Sequence, residues 1–156
     1  MDPSRLSLTL GLTLLVACGR SKDTGRGDFA AMQTRGEHVM GVNQYTSAHV
    51  FEDLPDGGRV VLERADASDT ADISTIRAHM RDIASAFRTG DFTKPFEVHA
   101  QNVPGTAVMA AKRSVISYEA SERPRGGEVR IRSSDPAAVA AIHQFLAFQR
   151  EEHHAH

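Results

Sequence analysis

The chain has one cysteine in 156 residues and no tryptophan. A single thiol cannot form a disulfide within the molecule, and a zinc site built on several thiolates is excluded. Neither sign of charge dominates. Eighteen lysines and arginines face twenty aspartates and glutamates, for a net charge of −2. The basic bias of a nucleic-acid-binding domain is missing, so nucleic acid is not an expected partner. No run of about 20 apolar residues occurs, so no segment reads as a membrane-spanning helix. The common catalytic signatures are absent as well: there is no P-loop, no G-x-G-x-x-G, no G-x-S-x-G and no H-E-x-x-H.

What is present begins at the N-terminus. Arg5 precedes a short apolar run, Leu6 to Ala17, which ends in Leu15-Val16-Ala17-Cys18-Gly19. This resembles the lipobox of bacterial lipoproteins, in which the leader is cut before a cysteine that carries acyl chains. Residues 1–17 are read as a lipoprotein signal peptide and Cys18 as the lipidation site. Several acyl chains make a durable membrane anchor where one is marginal. The expected location is the cell envelope, lipid-anchored on the periplasmic face. The outer membrane is favoured because Gly19, not aspartate, follows the cysteine. Residues 18–37 are polar and lack sustained periodicity, and they read as a flexible tether.

Residues 38–152 read as one α+β domain. Gln44–Asp53 and Arg59–Arg64 have strand composition and are joined by Pro55-Asp56-Gly57-Gly58, whose Asp-Gly and Gly-Gly pairs suit a hairpin turn. Ser68-Asp69-Thr70 then offers N-cap oxygens to a helix whose apolar stripe is Ile73, Ile76, Met80, Ile83 and Phe87, closed by Gly90. Pro95–Ala100 is expected as a short strand. Ser114–Ser121 and Glu128–Ser133 form a second hairpin across Gly126-Gly127, and Asp135-Pro136 starts a second helix lined by Val139, Ile142 and Leu146. The halves repeat. The pattern predicts two ββα units forming a four- to five-stranded antiparallel sheet, with two helices packed on one face.

Histidine is the residue with chemistry to offer. There are eight, at positions 38, 49, 79, 99, 143, 153, 154 and 156. Residues 153–156 form a His-rich tail that reads as a solvated, frayed end. His49, His79, His99 and His143 fall in or beside the folded elements. Neutral imidazole is the commonest transition-metal ligand, and thioether sulfur adds affinity for Cu(I). Met40 and Met109 lie outside the helical stripes. The candidate metal ligands are therefore His49, His79, His99, Met109 and His143. The expected cofactor is copper or another transition metal, with haem behind both.

Several motifs together carry a resemblance. They are Met40-Gly41-x-x-Gln44, His49-x-Phe51, Pro55-Asp56-Gly57-Gly58, Ile76-Arg77-x-His79-Met80, Gly90-Asp91-Phe92, Pro104-Gly105, Arg125-Gly126-Gly127 and Ala141-Ile142-His143-x-Phe145-Leu146-x-Phe148-Gln149. Over residues 38–153 the chain resembles a family of small exported bacterial proteins, some of which go under the name aspartate carbamoyltransferase. The residues here contradict that activity: the chain is far too short for it and lacks a Ser-Thr-Arg-Thr phosphate-binding run. Relatives in this family carry a His-His pair where this chain has Ala48-His49. The resemblance implies a domain boundary and no catalytic residues.

Three functions remain in order. The first is an envelope lipoprotein that binds a transition metal through its folded histidines. The second is a protein-interaction or structural module of the envelope, with Arg130 and Arg132 giving a basic, exposed sheet face to a protein partner. The third is an enzyme using histidine as general acid and base.

Overall fold

The computed structural model describes residues 23–155. The expected signal peptide, Cys18 and the final His156 lie outside the described residues. Two hairpins build the sheet. β1 (Ser47–Leu54) and β2 (Gly57–Arg64) turn through Pro55 and Asp56, while β3 (Ile116–Arg123) and β4 (Gly126–Ser133) turn through Pro124 and Arg125. The order is β1-β2-β4-β3, with every neighbouring pair antiparallel. The expected fifth strand is a helix instead, α3 (Thr93–His99). The Asp91 carboxylate accepts from the Thr93 N–H at 2.9 Å. Pro95 falls in the first turn, where its missing N–H costs nothing.

The internal repeat is present as an approximate two-fold relation. Val60 and Val129 each lie three residues past the first glycine of their pair, and they are direct partners across β2 and β4. The same relation matches two backbone bonds that tie each turn to the neighbouring hairpin. Ser133 N–H donates to Asp56 O at 2.9 Å, and Arg64 N–H donates to Arg125 O at 2.8 Å. The glycines serve less in the turns than in the strands they open. Gly57 has a φ of +138°. A Cβ on Gly58 would lie 2.2 Å from Leu146 Cδ1 and 2.6 Å from Glu52 O, so only glycine lets the helix above settle this close.

Both expected helices form from the expected signals. In α2 (Thr70–Thr89), the Asp69 side chain caps the Asp72 N–H, and Gly90 closes the last turn at φ +85°. Its buried face is Ile73, Ile76, Met80, Ala84 and Phe87. In α5 (Pro136–Glu152), Asp135 accepts from Ala137 N–H and Ala138 N–H at 2.8 and 3.0 Å. Ala138, Ala141, Ile142, Phe145 and Leu146 go inward. The helices cross over: α2 lies on β3 and β4, whereas α5 lies on β1 and β2. Each ββα unit thus buries its helix mainly on the hairpin of the other. One core results, centred on Leu62, Val129, Ile131, Phe87 and Leu146.

The segment expected as a tether is helical from Asp23, as α1 (Asp23–Met40). Met32 and Gln33 are buried, and the helix packs on α3. Arg35 Nε donates to Val98 O at 2.7 Å. The face carries a glutamine and Gly36 rather than a run of aliphatics, and tertiary contact rather than propensity holds it. A second short helix, α4 (Thr106–Ala111), buries Met109 completely. No helix among the described residues is long and apolar enough to cross a membrane.

The opposite sheet face is not a basic surface. Arg130 bonds Asp56, Arg132 pairs with Glu119 at 2.9 Å, Arg123 with Glu128 at 3.0 Å and Arg59 with Glu52 at 2.5 Å. Carboxylates supplied by β1, β3, β4 and the first turn neutralise the arginines that sequence alternation exposed.

Candidate functional site

Between the sheet and the ends of α1, α2, α3 and α5 lies a cavity of about 70 Å³. Four imidazoles line it: His49 from β1, His79 from α2, His99 from the end of α3 and His153 just past α5. The remaining walls are aliphatic and aromatic apart from Lys94 and Gln149, with Met40 at the α1 end. Neither carboxylate nor serine, threonine or cysteine is among the lining residues.

Strand alternation aims His49 into this space. It stands on the same face as Phe51, opposite Leu62, and its ring runs nearly parallel to that of Phe51 with centroids 5.9 Å apart. Its repeat mate is Tyr118, which in the other half fills the equivalent place against Phe87 with centroids 5.8 Å apart. His153 stacks on His49 at 4.8 Å between centroids. His99 meets His153 edge-on at 5.2 Å and Phe148 edge-on at 5.0 Å. Its Nε2 sits 3.0 Å from Gln149 Oε1. With the amide carbonyl facing it, the His99 proton belongs on Nε2 and the lone pair on Nδ1.

Burial dominates the electrostatics. Desolvation pulls His49 down to about 4, helped by the His79 charge. His79 also falls to about 4, first through desolvation and then through Lys94, against a small opposing pull from Asp82. His153 is lowest, at about 3, from desolvation and then the charges of His49, His99 and His154. Desolvation lowers His99 too, partly offset by Gln149 and Glu152. All four rings are therefore neutral at pH 7, with lone pairs available. Three of these nitrogens are buried without any hydrogen-bond partner: His49 Nε2, His99 Nδ1 and His153 Nδ1. Buried polar atoms are nearly always paired, so three orphans in one cluster call for an account.

The sequence-predicted ligands divide. His49, His79 and His99 come together. His143 does not: its Nε2 lies 3.0 Å from Leu54 O on the other flank of α5. Met109 does not either, since it is core under α4 and α5, and the thioether side chains that line the cavity are those of Met40 and Met80. His153, assigned from sequence to a frayed tail, is central. The α5 stripe of Ile142, Leu146 and Gln149 reaches residue 153 by the same steps of three and four, and that signal was available. Among the described residues, no three or more His, Cys, Asp and Glu side chains are already disposed as a metal-binding group. The rings of His49, His99 and His153 lie stacked or edge-on to one another. Comparison with protein-family models, curated proteins and solved structures finds no match.

Proposed function

We propose that this protein is a non-enzymatic, lipid-anchored envelope protein that binds a single copper ion, as Cu(I), in its four-histidine cavity. One observation carries the reading: three buried imidazole nitrogens without partners, on rings that touch one another, in an otherwise apolar cavity. A soft monovalent ion suits them. Imidazole and thioether donors favour copper, and Met40 lies in the same wall. The surroundings that keep protons off these rings also oppose buried positive charge, and no carboxylate lines the cavity to compensate. The cost of burying an ion rises steeply with its charge, which counts against Zn(II) and Cu(II). Binding requires the His49 and His153 rings to swing until their free nitrogens face one ion.

The other readings lose ground on the same features. A general acid–base works best near the operating pH, and rings titrating at about 3 to 4 are far from it. Haem needs a pocket of roughly 300 Å³ or more. The charge-paired sheet face leaves the interaction module without the basic surface it was given. Attachment through Cys18 rests on the Leu15-Val16-Ala17-Cys18 motif. Replacing Cys18 with serine is expected to abolish fatty-acid labelling and membrane recovery, and label retained by the variant would contradict attachment at this residue.

The ion is tested by thermal melting of the whole chain with Cu(I) under anaerobic conditions, Cu(II) and Zn(II). A ligand that binds only the native state stabilises it by about 2.7 kcal/mol at a hundredfold excess over its dissociation constant. A rise with Cu(I) well above that with either divalent ion supports the proposal. Equal or larger shifts with Zn(II) contradict the monovalent reading, and no shift with any ion contradicts metal binding altogether.

A further inference from the structure

Beside the histidine cavity runs a second, wider depression of about 610 Å³, between α1 and the end of α5. Its walls include the carboxylates of Asp28, Glu151 and Glu152, a single guanidinium, Arg35, and the imidazole of His154. The Arg35 Nε is committed to Val98 O at 2.7 Å. One residue, His99, lines both this groove and the inner cavity. Its side chain is only 1% exposed, and its Nδ1, buried and without a hydrogen-bond partner, faces Glu152 Oε2 at 3.8 Å. That gap is too long for a hydrogen bond. It is a span that two ligands of one ion cover, since metal–nitrogen and metal–oxygen bonds are each about 2.0–2.2 Å.

We infer that this acidic groove is the capture site through which a cation reaches the cavity, with Glu152 and His99 forming the step between them. The inference rests on the metal-binding reading above and extends it to a route. Three carboxylates against one guanidinium hold a negative potential at the mouth, and such a field raises association rates of a cation by about 10- to 10³-fold at low salt. The chemistry suits a stopping place rather than a resting place. Carboxylate oxygens are hard donors and hold a soft ion weakly, whereas the imidazoles inside hold it well. An ion at the Glu152–His99 step keeps water on its remaining positions. Rotation of the His99 ring, or exchange to His153 at 5.2 Å between centroids, then carries it inward.

The test follows uptake by stopped flow, on the whole chain without oxygen, as Cu(I) leaves a coloured chelator complex. The groove variant combines Asp28→Asn, Glu151→Gln and Glu152→Gln. A control removes three charges from the opposite sheet face, as Glu52→Gln, Glu119→Gln and Glu128→Gln. The expected result is uptake about tenfold slower in the groove variant at low salt, with the final amount bound unchanged and the control within about twofold of the parent. High salt should bring the parent's rate down to the variant's, because screening at 1 M confines charge effects to about 3 Å. Equal rates in parent and groove variant at low salt would overturn the route and leave the cavity reading standing. Equal slowing in groove and control variants would also overturn it, since net charge alone would explain the effect. No Cu(I) uptake by the parent would overturn the metal reading and the route together.

Discussion

The imidazole of His153 lies against that of His49, with centroids 4.8 Å apart and planes within 26° of each other. Neither His49 Nε2 nor His153 Nδ1 has a hydrogen-bond partner. Two cationic rings would not share this buried contact, so the pair exists in its neutral form. The arrangement joins the first strand to the last helical turn, and it fixes how the protein responds to acid and to substitution.

Acid should unfold the protein through these rings. Folded values of about 4, 4 and 3 for His49, His79 and His153 lie below the ordinary 6.5. Below pH 6.5 the unfolded chain therefore takes up protons that the folded chain refuses. The stability these neutral rings contribute is fully present above about pH 7 and is lost as pH falls towards 4. At 1.36 kcal/mol per unit the three displacements together set an upper bound on the order of 10 kcal/mol for the loss. Urea titrations from pH 8 to 4 check this, and His49→Phe should flatten the profile. An unchanged profile would mean that His49 is not held neutral by burial.

The two glycine pairs should not be equivalent to substitution. Gly58→Ala drives a methyl to 2.2 Å from Leu146 Cδ1 and 2.6 Å from the Glu52 carbonyl. Overpacking against backbone is expected to cost about 1–3 kcal/mol. Gly127→Ala meets mainly the flexible Met80 side chain, at 3.1 Å, with the Ser121 carbonyl at 3.4 Å, and should cost less. Chemical denaturation of both variants decides it, and equal losses would count against the close approach of α5 at Gly58.

Tyr118 offers a gain. Its hydroxyl is buried with no partner, and burial raises its pKa. Tyr118→Phe removes an unsatisfied group whose desolvation costs about 1–3 kcal/mol. The variant should be at least as stable as the parent in a melt. A clear loss would reveal a partner for that hydroxyl.

His143 separates the site from its neighbours. Its Nε2 bonds Leu54 O at 3.0 Å, away from the cavity. His143→Ala should cost about 0.5–1.5 kcal/mol of stability while leaving Cu(I) affinity within about twofold. A large loss of affinity would move the site to the far flank of α5.

Much of the fold was legible because local signals agreed with one another. Asp69 and Gly90 bracket α2, and Asp135-Pro136 opens α5 with Pro136 at the first turn, both with side chains committed to specific N–H groups. The hairpins followed from alternation and paired glycines. Three segments misled, each for a physical reason. α1 presents Gln33 and Gly36 to its neighbours rather than an aliphatic stripe, so only tertiary contact reveals it. Pro95-Phe96-Glu97-Val98 has strand composition but follows the turn in which the Asp91 carboxylate accepts from the Thr93 N–H. His153 sits among charged tail residues, although its place in the α5 stripe aims it inward. The cluster itself could not be read from spacing. It joins residues 49, 79, 99 and 153 only because the helices cross to opposite hairpins and α3 returns beneath α1.

In the copper reading proposed above, His49 and His153 together hold the ion. The most direct measurement is the Cu(I) affinity of the whole chain and of its His49→Ala, His153→Ala and His143→Ala variants, by competition with a chelator of known affinity. The expected result is one ion per parent chain, at least about a tenfold loss (1.4 kcal/mol) in each of the first two variants, and no change in the third. Undiminished affinity in both His49→Ala and His153→Ala, in protein that still melts cooperatively, would contradict it.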